Sequence, residues 1–458
     1  MKYTLRMTQA HHDALRAHLF PGDGKEAVAL LLCGRRTGVD RHVLTVRKII
    51  NIPHAACDRR PDRVTWPTEY VDPLLGEAYG RGCAIVKVHC HGMDYRRFSE
   101  VDDQSDKALF AAVTSLLGDG FPHASIIMLP DGELFGRVVD EDGAIVAPLS
   151  SVMAVGHDIR IWTERRLSQG SFALRHAQAF GSGTTELLRS LSVAIVGCSG
   201  TGSVVAEQLA RLGVGRLVLV DPDIAEEKNL NRILNSGKED VYLRRAKVHV
   251  LASAIARMGL DQEVIALQKN LLSAEAVKAV AECDVVFGCM DGVEGRHMLN
   301  RLTTFYLMPY FDVGVRLDAD GKGGIDRIAG AVHYLQPGGS TLLSREVYNM
   351  ARVDAESMRR TNPEMYRRLV REGYLRGVEE DRPAVISVNT FFSGLVVNEF
   401  LARLHPYRNN PNEGHAYVAV NLSEMQFYSE PEGEPCHVLQ KHVGRGDVVP
   451  LLERATLS

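Results

Sequence analysis

Apolar and polar positions follow two rhythms along this chain. In the first third, short apolar runs bounded by turn residues predict strands. One is Glu26-Ala-Val-Ala-Leu-Leu-Leu-Cys-Gly34, a glutamate leading into a buried run. Others are the stretch 43–50, which alternates, and Ala84-Ile-Val-Lys-Val-His-Cys-His91. The stretch from Lys107 to Leu117 has the pattern of a helix. From 137 to 172 apolar segments alternate with charged turns, which predicts the end of one domain and a crossing to the next. A helical stretch from Thr184 to Leu191 then leads into Val193-Ala-Ile-Val-Gly-Cys-Ser-Gly-Thr-Gly202. This reads as a buried strand, a glycine turn and a helix, followed by a second strand ending at Asp221 and a polar loop. The segment 345–380 reads as an arginine-rich helical insertion, with Tyr348, Met350, Met358, Met365 and Tyr366 as apolar anchors.

A chain of 458 residues exceeds one ordinary core. Two domains are the default, and the expected division is an α/β domain over 1–150, a linker over 151–174, a second α/β domain over 175–430 and a tail over 431–458. With 45% hydrophobic and 24% charged residues it reads as globular, and its net charge of −4 gives no case for a nucleic-acid partner. No run is long enough to span a bilayer, and the N-terminus lacks the apolar core of a signal peptide. The eight cysteines never form CxxC, which suits reduced thiols in a cytoplasm.

The spacing His89-x-His91-x(7)-Ser99-x-x-Asp102 is the most specific pattern in the first half. Alternate residues at a strand end put both imidazoles on one side, where they can reach one metal. Asp102 makes a third ligand and leaves a fourth position for water, as catalytic zinc requires. A glutamate beside that water could act as general base and then general acid, and Ser99 could stabilise an oxyanion. The pattern, with Glu26 upstream, resembles the JAB/MPN (JAMM) metallopeptidase family. Gly92 stands where that family usually has proline. The resemblance implies one zinc ion, Glu26 as acid/base, and cleavage at the C-terminus of a ubiquitin-like protein.

The second half carries a series of motifs. Gly197, Gly200 and Gly202 allow a tight turn that brings backbone close to phosphate, at a helix N-terminus. Asp221 lies about twenty residues on, where an acidic residue meets a ribose. Asp221-Pro-Asp223, Asn229-Leu-Asn-Arg232, Lys247, Asp291, Pro309–Val315 and Ile386–Thr390 follow in order. Together they resemble the ThiF/MoeB family, the adenylating core of ubiquitin-activating enzymes, and imply a Rossmann-like domain with a mostly parallel sheet. On that resemblance Arg232 and Lys247 neutralise the phosphates, Asn229 reaches them, Asp221 takes the ribose, and Asp291 holds Mg²⁺ on ATP. For Asp223 a turn role and a ligand role both stand. Arg175 corresponds to an arginine that crosses to a partner subunit's ATP, which implies a homodimer.

The family's structural Cys₄ zinc site is missing, since Thr341 and Ser344 stand at two of its cysteine positions. No cysteine lies between Cys289 and Cys436. An acyl-adenylate would therefore pass straight to an acceptor, load Cys436 as a mobile tail thiol, or load a hydroxyl such as Ser340, Thr341 or Ser344. The combined expectation is an enzyme that trims or deconjugates a ubiquitin-like protein and adenylates its C-terminal carboxylate. Its setting would be a bacterial modification system with a conjugating enzyme. Activation of a sulfur-carrier protein and a non-catalytic nucleotide-binding scaffold are the alternatives.

Overall fold

The computed structural model describes residues 1–92, 95–118, 120, 122–164, 182–320, 322, 324–372, 374 and 385–457. Arg175 lies outside the described residues, as do 165–174 of the expected linker and 375–380 of the expected insertion.

Two large sheets organise the chain. The first has nine strands in the spatial order Ile159–Thr163, Ser151–Val155, Lys2–Thr8, Arg41–Asn51, Val28–Thr37, Ala84–Cys90, His123–Met128, Leu134–Val139 and Ile145–Pro148. Its central strands are buried along nearly their whole length, which explains why they read as continuous apolar runs rather than alternating ones. Helices Gln9–Leu19 and Glu100–Leu117 are among the elements covering it. The expected linker starts too early. Ser151–Val155 pairs in parallel with Lys2–Thr8 and antiparallel with Ile159–Thr163, so 151–163 completes the first sheet. The expected helix at 107–117 begins seven residues sooner, at Glu100, because Ser99 and Asp102 form a capping box there.

The second sheet has eight strands, ordered Glu263–Leu267, Arg216–Val220, Ser192–Val196, Val285–Gly288, Tyr310–Ala319, Ile325–Leu335, Tyr417–Asn421 and Gln426–Glu430. The first five pair in parallel and the last three antiparallel. Helices pack on both faces and bury two separate apolar clusters, giving the expected Rossmann-like layering.

The insertion forms helices Met350–Thr361 and Pro363–Arg371. Tyr348 and Tyr366 are its buried anchors, whereas Met350 and Met365 are exposed at 40% and 43%. The last segment is a strap rather than a loose tail. Gly444 and Gly446 donate to the carbonyls of Thr304 and Phe305 on one side. On the other, Thr45 Oγ1 donates to Gly444 O at 2.9 Å and Arg36 pairs with Asp447 at 3.1 Å. A Cβ on Gly444 would meet Val46 O at 2.3 Å, so only glycine allows this approach. Leu451 and Leu452 finish in the second domain's core.

Candidate active sites

The first site forms where the Ala84–Cys90 strand ends and helix Glu100–Leu117 begins. His89 Nε2 lies 3.3 Å from His91 Nε2 and 3.0 Å from Asp102 Oδ1, and His91 Nε2 is 3.8 Å from Asp102 Oδ2. The three ligand atoms fall within 4.8 Å of one another, the one such metal-competent group among the described residues. His91 Nδ1 is 2.9 Å from the Tyr95 carbonyl, an orienting bond that leaves Nε2 for the centre. The donor set of two imidazoles and a carboxylate suits zinc.

Glu26 and Ser99 line the same cavity, of about 410 Å³, together with Lys87, Trp66 and Tyr95. Burial, helped by the like charge of Asp102, pushes the Glu26 carboxyl up to about 7, against the pull of His91. Burial also lowers His89. In Asp102 burial is outweighed by His89 and His91, which hold its carboxyl well below the usual range. Ser99 is tied into the helix start: its hydroxyl donates to Asp102 Oδ2 at 2.7 Å and accepts from the Asp102 N–H at 3.2 Å. Through Val64, Trp66 and Val101 the cavity continues into a second one of about 460 Å³, lined by apolar residues including Leu75, Val113 and Leu116.

The second site lies at the C-terminal ends of strands Ser192–Val196, Arg216–Val220 and Val285–Gly288. Gly197 has φ +91°, and a Cβ there would meet Cys289 O at 2.6 Å. On Gly202 a Cβ would sit 1.8 Å from Gly197 O. A Cβ on Gly200 would meet Asn389 Nδ2 at 2.1 Å and Arg232 Cδ at 3.2 Å, so these two side chains roof the turn.

Asp221 is buried, and its oxygens accept the N–H groups of Cys198 at 2.7 Å and Asp223 at 2.9 Å. It braces the turn from below. The more exposed carboxylate is Asp223, paired with Lys247 Nζ at 2.7 Å. Asn229 Oδ1 accepts the Glu226 N–H at 3.3 Å and shapes the loop that carries Arg232. Asp291 is exposed just beyond the Val285–Gly288 strand, a position from which one carboxylate could hold Mg²⁺ against phosphate oxygens. Behind it lies a pair that residue patterns did not single out: Arg296 Nε is 3.2 Å from Asp312 Oδ1, and Tyr310 donates to the same oxygen at 2.6 Å. Their pairing requires the helix after Asp291 to lean on the next strand.

The candidate acceptors are corrected by their surroundings. Cys436 is 3% exposed and its N–H is bonded to Gly339 O at 3.1 Å, so it is not a mobile thiol. Ser340 is 2% exposed and locked between Glu432 and Arg345 Nε, the latter at 2.7 Å. Thr341 and Ser344 bond each other's backbone.

The ThiF family model matches residues 173–437, and the model of prokaryotic homologs of the JAB domain matches residues 8–135. The chain is 39% identical over 113 residues to adenylyltransferase and sulfurtransferase MOCS3 of Sus scrofa, covering 25% of this chain and 24% of that protein. It is 28% identical over 165 residues to ubiquitin-like modifier-activating enzyme 5 of Culex quinquefasciatus, covering 33% of this chain and 39% of that protein. It thus spans between about a quarter and two fifths of the length of these curated relatives. Among solved structures, E. coli MccB with ATP matches with TM-score 0.45 at 18% identity, over 59% of this chain and 74% of that one.

Proposed function

The chain belongs to the ThiF family and carries a JAB-homologue domain before it, and on that footing we propose that it processes and then activates one kind of protein tail. The observation that carries this reading is the pairing itself. A metal-competent His–His–Asp group and a ThiF-family domain share one chain, and on this reading hydrolysis at the first produces the carboxylate that adenylation at the second consumes. The tail is that of a ubiquitin-like protein, in a bacterial cytoplasmic modification system with a conjugating enzyme. The active form is a homodimer in which Arg175 reaches the partner's nucleotide.

In the first site His89, His91 and Asp102 would hold zinc, which would supply Lewis acidity when bound. Glu26, which lines the same cavity, accepts a proton on its carboxylate during attack and returns it to the leaving amine. The cavity running past Trp66 takes the extended tail.

In the second site the freed carboxylate attacks the α-phosphate of ATP, and pyrophosphate leaves. Arg232 and Lys247 neutralise the developing charge, Asp291 holds Mg²⁺, and the glycine turn receives phosphate on its N–H groups. Asp221 takes the ribose hydroxyls through the acceptor positions that its two N–H bonds leave open, beside the Asp223–Lys247 pair. The burial of Cys436 and Ser340 supports direct transfer of the adenylate to an external acceptor.

A second reading, activation of a sulfur carrier, is favoured by the similarity to a protein named as adenylyltransferase and sulfurtransferase. One experiment addresses both. A C-terminally extended ubiquitin-like protein is incubated with the zinc-loaded chain, then with Mg·ATP, and followed by intact mass. The reading expects loss of the extension and then an AMP adduct on the new terminus. Failure of both steps would defeat it, and a thiocarboxylate on adding a sulfur donor would favour the sulfur-carrier route.

A further inference from the structure

A buried charge network lies one step behind the first metal-competent site. Lys87, Asp106 and Arg137 are 3%, 1% and 6% exposed. Lys87 Nζ pairs with Asp106 Oδ1. Arg137 Nε and Nη2 donate to Asp106 Oδ2 at 3.1 and 2.6 Å, and Arg137 Nη1 pairs with Asp103. The Arg137 guanidinium also stacks on Phe98, 3.8 Å from the ring centroid, and Phe98 meets the His89 ring edge-on at 6.3 Å.

The spacing makes a ladder. Lys87 and His89 are two residues apart on one face of a strand, a rise of about 6.7 Å. Asp106 and Asp102 are four apart on one face of a helix, a rise of about 6 Å. Strand and helix run in opposite directions, so the Lys87–Asp106 pair is one rung and the His89–Asp102 contact is the next. Strand Leu134–Val139, which carries Arg137, lies beyond strand His123–Met128 in the sheet. One carboxylate therefore pins the helix to two strands at once.

Stability does not demand this arrangement. Asp106 interrupts a buried face formed by Leu109, Phe110, Val113 and Leu117, where leucine would pack without any desolvation cost. Buried ionic groups are best attested as devices that set register, because a charge pair fails when slipped by one residue while apolar contacts adapt. Here a slip of the helix would carry Asp102 away from His89 and His91.

We propose that Lys87, Asp106 and Arg137 are positioning residues of the metal centre, which set the register of helix Glu100–Leu117 so that Asp102 meets the two histidines. The inference rests on the reading of this site as a zinc centre. Its test measures metal binding by the full chain, with zinc alone by competition against a chromophoric chelator and with cobalt by its visible absorption. Asp106→Asn and the charge-balanced pair Lys87→Met/Asp106→Asn are compared with wild type, and folding is followed by circular dichroism. The expected result is a folded protein whose zinc affinity falls about 10–100-fold and whose cobalt spectrum shifts. Wild-type affinity and an unchanged spectrum in a folded variant would overturn the inference and leave the zinc reading standing. Failure of wild type to bind either metal would overturn both. Failure of both variants to fold would also overturn it, since the network would then be a condition of folding rather than of ligand placement.

Discussion

Both terminal nitrogens of Arg41 donate to Asp284 Oδ2 at 3.0 Å, across the boundary between the two sheets. The same oxygen accepts the Ser192 N–H at 2.9 Å. Asp284 and Ser192 therefore stand at the N-terminal ends of the two strands whose opposite ends carry Asp291 and the glycine turn. Arg6, 1% exposed, adds bonds to the carbonyls of Ala281, Cys283 and Tyr306. Arg6 Nη2 also lies 3.7 Å from Asp284 Oδ1, so Asp284→Ala would leave two arginines buried without their carboxylate. We expect a loss of about 3–5 kcal/mol, measured by denaturant unfolding.

Gly202→Ala places a methyl where Gly197 O stands 1.8 Å away, so the turn must open. ATP binding, measured by calorimetry, should be lost. Gly394→Ala is the contrasting change: nothing lies within 4 Å of its Cβ, and it sits inside helix Ile386–Leu404. That variant should bind ATP normally and gain about 0.5–1 kcal/mol of stability.

His333 is buried and faces Arg345 and Arg296, and burial first, then these charges, hold it down to about 3 from 6.5. Between those values the unfolded chain takes up a proton that the folded chain refuses. Stability contributed by this residue is full above pH 6.5 and falls as pH drops through that window. His333→Gln should flatten the acid decline by up to about 1.4 kcal/mol per pH unit, read from unfolding curves at several pH values.

Glu26→Ala should reduce zinc-dependent cleavage of an extended ubiquitin-like precursor by about 10²–10⁴-fold while leaving zinc binding in place. Cleavage at the wild-type rate would mean that another group moves the proton.

The metal-competent group was legible because His89, His91 and Asp102 lie within fourteen residues, on a strand end and the helix start that follows it. The parallel sheet was legible for a similar reason, as its strands and glycine turn are local patterns. What escaped depends on packing between distant segments. That Asp221 accepts the N–H groups of Cys198 and Asp223 depends on how the turn folds back over the strand end. Lys87, Asp106 and Arg137 read as ordinary charges until two strands and a helix enclose them. Cys436 looked mobile because its neighbours are proline, glycine and acidic residues, yet the strap that follows is pinned to both domains.

Adenylation of the C-terminal carboxylate of a ubiquitin-like protein is reversible, so ATP–pyrophosphate exchange reports it without any downstream step. With a ubiquitin-like protein ending in free glycine, we expect exchange that requires that protein and falls at least about 100-fold in Asp291→Ala. No exchange in the wild type, or the same rate in Asp291→Ala, would contradict it.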